Sequence, residues 1–454
     1  MTASAQVLAV DVLVVGAGTA GLGAAVQLAR RGRRVVVVEG RPLGQGGARW
    51  CNGVVPWQFT RAGFSQPVAP EARGTGGAIR VAGPDGSSFV VDHDPVVETD
   101  MRLLNQRLLD EALELGVEVI DRVSTPQVEL RHGRVIGARI ERDGGTALAV
   151  DASLVVDASG RAAVMRRQVP DLDRWCPDPR PDELCSAAQT TCSIADRDGA
   201  RRFLEQLGLR AGDTAMWLGF AGGFSALAIH VDAELEQVGV LTGTLGDGRW
   251  GSGRSILDLA RRRHPWIGDP IFGGSGLIPL QAPYARFTSP GLALVGDAAS
   301  QVFPAHGSGI GVGLIAGVVL AEAIDRTASA EPGDEATLWR YQSAFMRELG
   351  GTLAAYDHVR RLSTAVGSSG VATLVRTGLV DAESTAAGLV QDWVVPTPQD
   401  LARRAVVLAR HPGLAAHAAP RLAAATAAPA WYQRYPIEVD TTALRRWARL
   451  AAIA

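Results

Sequence analysis

The chain has few cysteines, and no pairing pattern links them. Its 454 residues include only four, Cys51, Cys176, Cys185 and Cys192, and none stands in a Cys-x-x-Cys pair. Zinc sites and dithiol redox motifs built on such pairs are therefore excluded. So few cysteines in a chain of this length also make a disulfide framework implausible. We expect no metal site.

An excess of charge of either sign is also missing. The 45 basic and 47 acidic residues give a formal net charge of -2. Nucleic-acid-binding proteins usually carry a pronounced basic surface, and this near-balance offers none. We therefore expect a small-molecule substrate and no nucleic-acid partner.

Long hydrophobic runs are absent too. The apolar stretch from Ile310 to Ala321 is too short and too rich in glycine to span a bilayer. The first ten residues lack the basic start of a secretory signal. We expect a cytoplasmic protein without a transmembrane segment, divided into two or three cooperating domains.

A glycine-rich turn between a strand and a helix is the strongest local signal that is present. The apolar run from Val7 to Val15 predicts a buried parallel strand. Gly16-x-Gly18-x-x-Gly21 follows it directly and opens a helix. Gly16 permits a tight turn, Gly18 lets the backbone approach a pyrophosphate, and Gly21 allows helix and strand to pack closely. The start of this helix favours bound anions.

The next strand supports the same interpretation. Val35 to Val38 is a second buried strand, and Glu39 stands at its end. An acidic side chain at this place accepts hydrogen bonds from a ribose. Together these elements predict a dinucleotide-binding βαβ unit, and they leave FAD and NAD as alternatives.

Two segments in the second half of the chain separate these alternatives. A short apolar strand ends in Gly296-Asp297, and Pro304-Ala-His-Gly-Ser-Gly-Ile-Gly311 follows. These segments resemble the family of FAD enzymes that includes p-hydroxybenzoate hydroxylase, geranylgeranyl reductases and flavin-dependent tryptophan halogenases. The resemblance implies that Asp297 binds the ribityl chain of FAD. It also implies that N–H groups from Gly309 to Gly311 face the flavin, where a helix start stabilises negative charge.

A middle segment completes the resemblance and the predicted fold. Asp157-Ala-Ser-Gly-Arg161 is similar to a segment of the family whose backbone passes near the dinucleotide. The fold class implied is α/β, with a Rossmann-like FAD-binding domain of the glutathione-reductase type, an interleaved β-sheet substrate domain and a C-terminal helical region. The expected boundaries are 1–45, 92–165 and 285–330 for the FAD-binding domain, 46–91 and 166–284 for the substrate domain, and 331–454 for the helical region.

Departures from the family patterns bear on the reaction. Ala316 stands where the hydroxylases carry an aspartate, and the middle segment has Asp-Ala in place of their Asp-Gly. The tryptophan and proline motifs of the halogenases are missing, which disfavours halogenation. The Tyr-x-Trp-x-Phe-Pro box of geranylgeranyl reductases is also absent, and Gly222 to Leu227 stands in its place. A prenyl substrate is therefore not carried over.

The predicted function is that of a FAD-dependent oxidoreductase acting on an apolar or aromatic small metabolite. A monooxygenase of secondary metabolism, whose reduced flavin reacts with oxygen, is the favoured reaction. The alternatives are a C=C reductase, or a dehydrogenase or oxidase without oxygen insertion, and, further away, a non-catalytic FAD-binding protein. No second Gly-x-Gly-x-x-Gly motif is present for NAD(P)H. Electrons would come from transiently docked NAD(P)H or from a separate flavin reductase.

Candidate site residues follow from these motifs. His306 is the candidate catalytic acid or base, with a backbone-bonded position pointing away as the alternative. Cys51 is either close to the flavin or an unreactive buried thiol. Trp50, Trp217 and Phe224 are candidates for the substrate pocket, with plain core packing as the alternative. The residues expected to contact FAD are Gly16, Gly18, Thr19, Ala20, Gly21, Glu39, Gly40, Arg41, Gly47, Arg49, Asp157, Ala158, Gly160, Gly296, Asp297, Gly307, Gly309, Ile310 and Gly311.

Overall fold

The structure is a computed structural model that describes residues 6–74, 76–143, 145–326 and 331–451. The parts of the expected domains that fall on 1–5, 75, 144, 327–330 and 452–454 lie outside the described residues. The strands are β1 (Gln6–Val15), β2 (Val35–Val38), β3 (Cys51–Val54), β4 (Ala72–Gly74), β5 (Ile79–Ala82), β6 (Ser88–Val91), β7 (Val97–Asp100), β8 (Glu118–Ile120), β9 (Gln127–Arg131), β10 (Arg134–Arg142), β11 (Thr146–Asp157), β12 (Leu184–Ile194), β13 (Thr214–Leu218), β14 (Ser225–Val231), β15 (Gln237–Leu245), β16 (Ile267–Pro279), β17 (Thr288–Ser289) and β18 (Leu292–Leu294).

Helices connect and cover these strands. They are α1 (Thr19–Ala29), α2 (Pro56–Ala62), α3 (Met101–Glu114), α4 (Pro170–Asp173), α5 (Arg197–Gln206), α6 (Gly253–Arg263), α7 (Ile310–Asp325), α8 (Glu335–Phe345), α9 (Gly351–Arg376), α10 (Ala382–Leu389), α11 (Pro398–Arg410), α12 (Pro412–Tyr432) and α13 (Thr441–Ala451). Within the described ranges, no helix combines the length and apolar character needed to cross a membrane.

The first sheet carries the nucleotide-binding motifs. Its strand order is β17-β18-β11-β1-β2-β8, and β10 and β9 extend it from β11. β1 pairs in parallel with both β2 and β11. All four residues of Val35–Val38 are buried, as the unbroken valine run predicts for a strand covered on both faces. The carboxyl ends of β1, β2, β11 and β18 therefore meet at one edge, where the glycine-rich loops lie.

Two helices pack closely on one side of this sheet because small residues meet at their contact. A Cβ atom added to Gly317 of α7 would lie 2.9 Å from the backbone of Ala24 in α1. One added to Gly313 would lie 2.9 Å from the Cβ of Ala20. This close approach places the first turns of α1 and α7 side by side.

The second sheet draws its strands from two separated parts of the chain. Its order is β16-β12-β15-β14-β13-β5-β6. Helices α5 and α6 cover one face and form a core with Ile229 and Val240. The other face turns toward β3, since Gln189 of β12 accepts a hydrogen bond from the backbone N–H of Cys51 at 3.1 Å.

The stretch from residue 41 to 91 is more ordered than expected. We expect it to be irregular, yet it contains β3 to β6 and α2, and β3, β7 and β4 form a third, small sheet. Each of these elements is seven residues or shorter, and glycine and proline separate them. Such short segments give too few positions for a periodic pattern to emerge.

The C-terminal part is helical, as expected, and part of it returns to the second sheet. Ala386 and Leu389 of α10 pack against Val81 of β5. The segment after α10 reaches α2, where the indole N–H of Trp57 donates to the carbonyl of Val390 at 2.8 Å. This region therefore closes the space beside the nucleotide-binding edge.

Candidate cofactor and substrate site

The first glycine-rich loop has no room for side chains. Gly16 has a φ of +110°, and a Cβ atom there would lie 2.5 Å from the carbonyl oxygen of Ala158. A Cβ on Gly21 would lie 2.0 Å from the carbonyl oxygen of Gly16. Gly18 is the N-cap of α1 and has no side-chain cap. Thr19 and Ala20 then form the first turn, so the start of α1 is free to receive an anion.

Glu39 lies at the mouth of a pocket beside this loop. Its carboxylate accepts hydrogen bonds from the backbone N–H of Ala17 at 2.8 Å and of Arg41 at 3.0 Å. Gly40 follows directly, exposed on the loop. A pocket next to Glu39 is lined by Ala17, Leu22, Glu39, Leu43, Gly44, Gly46, Asn105, Leu109 and Val119. The location suits a ribose beside the end of β2.

Two arginines brace the loop that closes this pocket. Arg41 donates to the carbonyls of Gln45 and Gly47, each at 3.1 Å. Arg49 donates to the carbonyl of Gly44 at 2.9 Å. In the described structure both guanidinium groups are thus engaged with backbone. They hold Gly47, whose Cα lies close to Gly18.

Asn105 of α3 ties the two glycine-rich loops together. Its side-chain amide donates to the carbonyls of Ala17 at 3.0 Å and Gly46 at 3.1 Å. Its Oδ1 atom is buried and has no partner among the described residues. An unpartnered buried acceptor is costly, so a hydroxyl group of a bound ligand would stabilise it.

The middle segment uses its carboxylate to fold its own loop. Asp157 is fully buried and accepts hydrogen bonds from the backbone of Ser159, Met165 and Arg166 and from the Ser159 hydroxyl. Its side chain is therefore occupied, and only the backbone of Ala158, which packs on Gly16, borders the site. Gly160 has a φ of +66° and begins the short turn that follows.

The carboxylate of Asp297 differs from that of Asp157 in its hydrogen bonding. No described residue donates a hydrogen bond to its carboxylate, and part of its surface is open. Burial raises its pKa to about 6, although the charge of Arg161 opposes the shift. Gly296 has a φ of +65°, and its N–H is held by the buried Gln301 at 2.8 Å. Asp297 is thus a fixed carboxylate with free acceptor capacity.

The start of α7 lies beside Asp297. Gly309 is the N-cap, and a Cβ there would lie 3.3 Å from Oδ1 of Asp297. Ile310 and Gly311 form the first turn. A Cβ on Gly311 would lie 1.9 Å from Oε1 of Gln58, a buried atom without a partner in the described part of the chain. Gln58 is held in turn by Gln391, to which it donates at 2.9 Å.

His306 projects from the tight turn between Phe303 and Ser308. Its ring lies 4.7 Å from the Phe303 ring, centroid to centroid. The side chain is exposed, yet burial lowers its pKa to about 4, opposed by a backbone hydrogen bond with Gly388. We call the gap between this turn and Gly388 of α10 the recess. Gly307, with a φ of +74°, lies within 3.9 Å of Ile278 and Leu280 of the second-sheet domain.

The second sheet contributes an apolar wall to this recess. Leu241 lies on the interior strand β15 on the same face as Gln189 and Ala228, its partners in the neighbouring strands. It is 44% exposed, which is high for an interior strand. Trp50 bounds this face at one end, since a Cβ on Gly274 would lie 2.3 Å from its ring. Helix α10 packs at the other end, on Val81 and Met216, and we call the exposed face between Trp50 and α10 the hollow.

Of the three aromatic residues predicted for the substrate pocket, two lie near the hollow and one lies on the opposite face of the sheet. Trp50 lies at the hollow. Phe224 is partly buried in a cluster with Ile278 and Leu280, next to the His306 turn. Trp217 points to the opposite face of the sheet, where it packs near Phe203 at 6.3 Å. Its assignment to the pocket is wrong, because strand alternation sends it into the core under α5 and α6.

Cys51 lies under the same wall. Its Sγ is 3.9 Å from the hydroxyl of Thr191, which shares a face with Gln189. Burial raises its pKa to about 12, with the charge of Glu98 adding to the shift. The thiol is therefore protonated at neutral pH. The described residues offer no cluster of His, Cys, Asp and Glu suited to a metal ion.

Sequence reasoning misses Asn105, Gln58 and Gln391. None of them stands in a motif, and their partners are between 59 and 333 residues away along the chain. Only the packing of α2, α3 and the segment after α10 brings them to the site. No sequence signal identifies such long-range contacts.

Comparison with known proteins adds the following similarities. Residues 11–170 match the family described as FAD dependent oxidoreductase. The chain is 28% identical over 365 residues to a digeranylgeranylglycerophospholipid reductase of Sulfolobus acidocaldarius, which covers 77% of this chain and 76% of that protein. It is 26% identical over 333 residues to a menaquinone reductase of Mycolicibacterium smegmatis, covering 69% of this chain and 75% of that protein.

A solved structure shows the same fold. A geranylgeranyl bacteriochlorophyll reductase-like protein from Thermoplasma acidophilum superimposes with a TM-score of 0.72 at 19% identity, covering 90% of this chain and 100% of that chain. The α/β fold with its Rossmann-like domain is thereby confirmed. The residues at the site fit FAD: two helix starts without side-chain caps, glycines that leave no room for a Cβ, and the free carboxylate of Asp297.

Proposed function

We propose that this chain, which belongs to the superfamily of FAD-dependent oxidoreductases, is a reductase that saturates carbon–carbon double bonds in an apolar isoprenoid chain. The sequence favours a monooxygenase, with C=C reduction as the alternative. The relatives named as reductases support that alternative better than oxygen insertion. Both names denote reductases of isoprenoid-bearing lipids.

The observation that carries the proposal is the hollow. Its wall presents the exposed Leu241 beside Ala228 and, in the next row, Ala187, Gly243 and Ala226. Small and apolar side chains leave room for a hydrocarbon and give it a favourable environment. A polyprenyl chain is flexible, apolar and narrow, so it suits a wall of this composition.

Residues of the chain would hold the cofactor in defined places. Glu39 and Asn105 would bind the ribose, the start of α1 the pyrophosphate, and Asp297 the ribityl chain. The start of α7 favours negative charge that builds up nearby. When bound and reduced, FAD supplies a hydride equivalent.

Reduction of an alkene also requires a proton. His306 is neutral at pH 7, because its lowered pKa of about 4 prevents it from carrying a second proton. It can accept a proton or orient a substrate, and it is not the acid. Cys51 keeps its proton and lies below the wall at Thr191. A thiol whose pKa is raised is a weaker acid, so we assign the proton to solvent water rather than to Sγ of Cys51, and we expect Cys51→Ala to leave the rate unchanged.

The source of electrons completes the proposal. We keep both transiently docked NAD(P)H and a separate flavin reductase as donors. Photoreduction removes the need for either in an experiment.

The function is tested by anaerobic reoxidation of the flavin. The protein with bound FAD is photoreduced without oxygen and mixed with an isoprenoid lipid bearing several double bonds. The proposal predicts that oxidised-flavin absorbance returns with the lipid and stays low with its saturated analogue. A flavin that stays reduced with the unsaturated lipid, and forms oxygenated product once air is admitted, would support the monooxygenase instead.

A further inference from the structure

Helix α11 presents an apolar stripe to solvent. Its residues Leu401, Ala402, Ala405, Val406 and Ala409 are all exposed, and Leu401 and Val406 are 50% and 53% exposed. Successive helical residues turn by about 100°, so these five positions form one continuous side of the helix. Leu408 lies about 20° from Leu401 around the helix and contacts the cluster around Leu414, so the stripe begins at the edge of the side that packs into the bundle. The stripe itself is turned outward by the fold.

The apolar surface begins before the helix. Val394 and Val395, in the connection from α10 to α11, are 54% and 68% exposed. The helix itself is well anchored, because the Thr397 hydroxyl and the Asp400 carboxylate form a capping box at its start. We define the exposed apolar segment as Val394, Val395, Leu401 and Val406. Several large apolar side chains on one short stretch exceed the scattered exposure that is normal for a protein surface.

Arginines flank the stripe on one side. Arg403 and Arg410 are exposed and follow Val406 around the helix. Arg403 pairs with Asp381 at 3.3 Å and with Asp400 at 3.8 Å, whereas no acidic group among the described residues pairs with Arg410. An apolar stripe bordered by guanidinium groups is the arrangement by which interfacial helices lie on a membrane with anionic headgroups.

The segment follows closely after α10, the helix that bounds the hollow. Three contacts fix the residues just before Val394: Trp57 bonds the carbonyl of Val390, Gln58 bonds Gln391, and the Tyr356 hydroxyl donates to the carbonyl of Asp392 at 2.8 Å. Trp57 is itself 39% exposed. A surface that rests on lipid here would thus be joined directly to the region that encloses the hollow.

We infer that the exposed apolar segment docks the protein on the surface of an anionic lipid membrane, from which an isoprenoid lipid enters the hollow. The docking rests on the proposed function only for the identity of the lipid that enters. The stripe supplies apolar area to the headgroup boundary, and Arg410, which has no acidic partner among the described residues, supplies the preference for negative charge.

The test is sedimentation of the FAD-bound protein with vesicles, without substrate. Vesicles of phosphatidylcholine alone are compared with vesicles that also contain phosphatidylglycerol. We expect the wild type to prefer the anionic vesicles, and Leu401→Gln with Val406→Gln to lower the affinity at least about tenfold, because the buried apolar area sets the binding strength. Val68→Gln, at a side chain 71% exposed outside the segment, is the matched control and should bind as wild type.

Arg410→Gln separates the charge from the apolar stripe. It should weaken binding to the anionic vesicles and leave binding to phosphatidylcholine unchanged. Retained FAD and unchanged circular dichroism show that the variants are folded.

Three results would overturn the inference: wild type that binds neither vesicle, a double variant that binds like wild type, or a double variant that only abolishes self-association, which would make a second copy the occupant. Because no substrate is present, a failure of the reductase proposal leaves these results unaffected.

Discussion

At the scale of single residues, Asp297 is the clearest predicted contact with FAD. Replacement by Ala removes a charged acceptor, and hydrogen bonds to charged groups contribute about 1.5–3 kcal/mol. We expect FAD affinity to fall on the order of tenfold to a hundredfold, measured by fluorescence titration of the apoprotein. Asp171→Ala, at an exposed surface carboxylate, is the control. Unchanged affinity in Asp297→Ala would show that the carboxylate does not contact the cofactor.

The raised pKa of Asp297 gives a second expectation with a defined sign. The ionised carboxylate accepts hydrogen bonds without restriction, and protonation as the pH falls through about 6 removes that capacity. FAD affinity of the wild type should therefore drop between pH 7 and pH 5, while that of Asp297→Asn stays flat. In the apoprotein the same raised pKa favours the folded state as the pH falls from about 6 toward the ordinary range, since folding then takes up a proton. Parallel pH profiles in both proteins would contradict the assignment.

The lowered pKa of His306 restricts its catalytic role to accepting a proton or orienting the substrate. Its lowered pKa leaves the ring neutral at pH 7, so any inflection from its protonation belongs near pH 4. We expect His306→Ala to retain FAD and to lose turnover by about 10²-fold, the lower end of acid–base contributions. His306→Gln keeps a hydrogen-bonding group and should recover part of the rate if the ring only orients substrate. Loss of FAD in both variants would make the residue structural.

Residues in short motifs were the predictable part of the site. Gly16, Gly21 and Asp297 can be read from the sequence because backbone conformation and local chain order determine their roles. Gln58 and Gln391 could not be found that way, since their contact joins α2 to a segment 333 residues later. The unpartnered Oδ1 of Asn105 likewise reaches the site only because α3 packs on both loops.

At the scale of elements, the contact between α1 and α7 aligns the two helix starts that face the cofactor. Gly317→Ala places a Cβ 2.9 Å from the backbone of Ala24, and overpacking of this kind typically costs about 1–3 kcal/mol. We expect a lower free energy of unfolding and weaker FAD binding, measured by denaturant titration and fluorescence.

Gly413→Ala is the matched control for that variant. Gly413 lies in the first turn of α12, and nothing stands within 4 Å of an added Cβ. The substitution should be neutral or slightly stabilising, because alanine is the better helix former. Equal stability of the two variants would mean that α1 and α7 tolerate separation.

The alternation of side chains along a strand bears on two predictions, the burial of β2 and the position of Trp217. The unbroken valines of β2 predict a strand buried on both faces, and all four of its residues are buried in the structure. Trp217 and Met216 are adjacent on β13 and point to opposite faces, but the sequence does not say which face α5 and α6 cover. The side chain of Trp217 therefore lies on the face opposite to the one that a place in the substrate pocket requires.

At the scale of the whole molecule, the hollow should limit the size of the substrate. Ala228 lies beside Leu241 on its wall, so Ala228→Phe fills space there. We expect FAD binding to be retained and turnover of a long isoprenoid chain to fall relative to a short one, measured as a ratio of kcat/KM values. Trp217→Phe, on the opposite face, should leave the ratio unchanged. A ratio unaffected by Ala228→Phe would place the substrate elsewhere.

The sequence motifs predict the α/β fold and the order of the main segments along the chain. They do not predict the return of α10 to the second sheet, because Ala386 and Leu389 form an ordinary apolar pattern with no marker of its partner. The enclosure of the site, and with it the shape of the hollow, depends on that long-range packing.

The mass of the product tests the central claim most directly. The FAD-bound protein is reduced and incubated with a polyunsaturated isoprenoid lipid, with and without oxygen. The molecular mass of the lipid is then measured by mass spectrometry. We expect a gain of two hydrogen atoms for each double bond consumed, at the same rate without oxygen. A product that gains an oxygen atom, and forms only when oxygen is present, would contradict it.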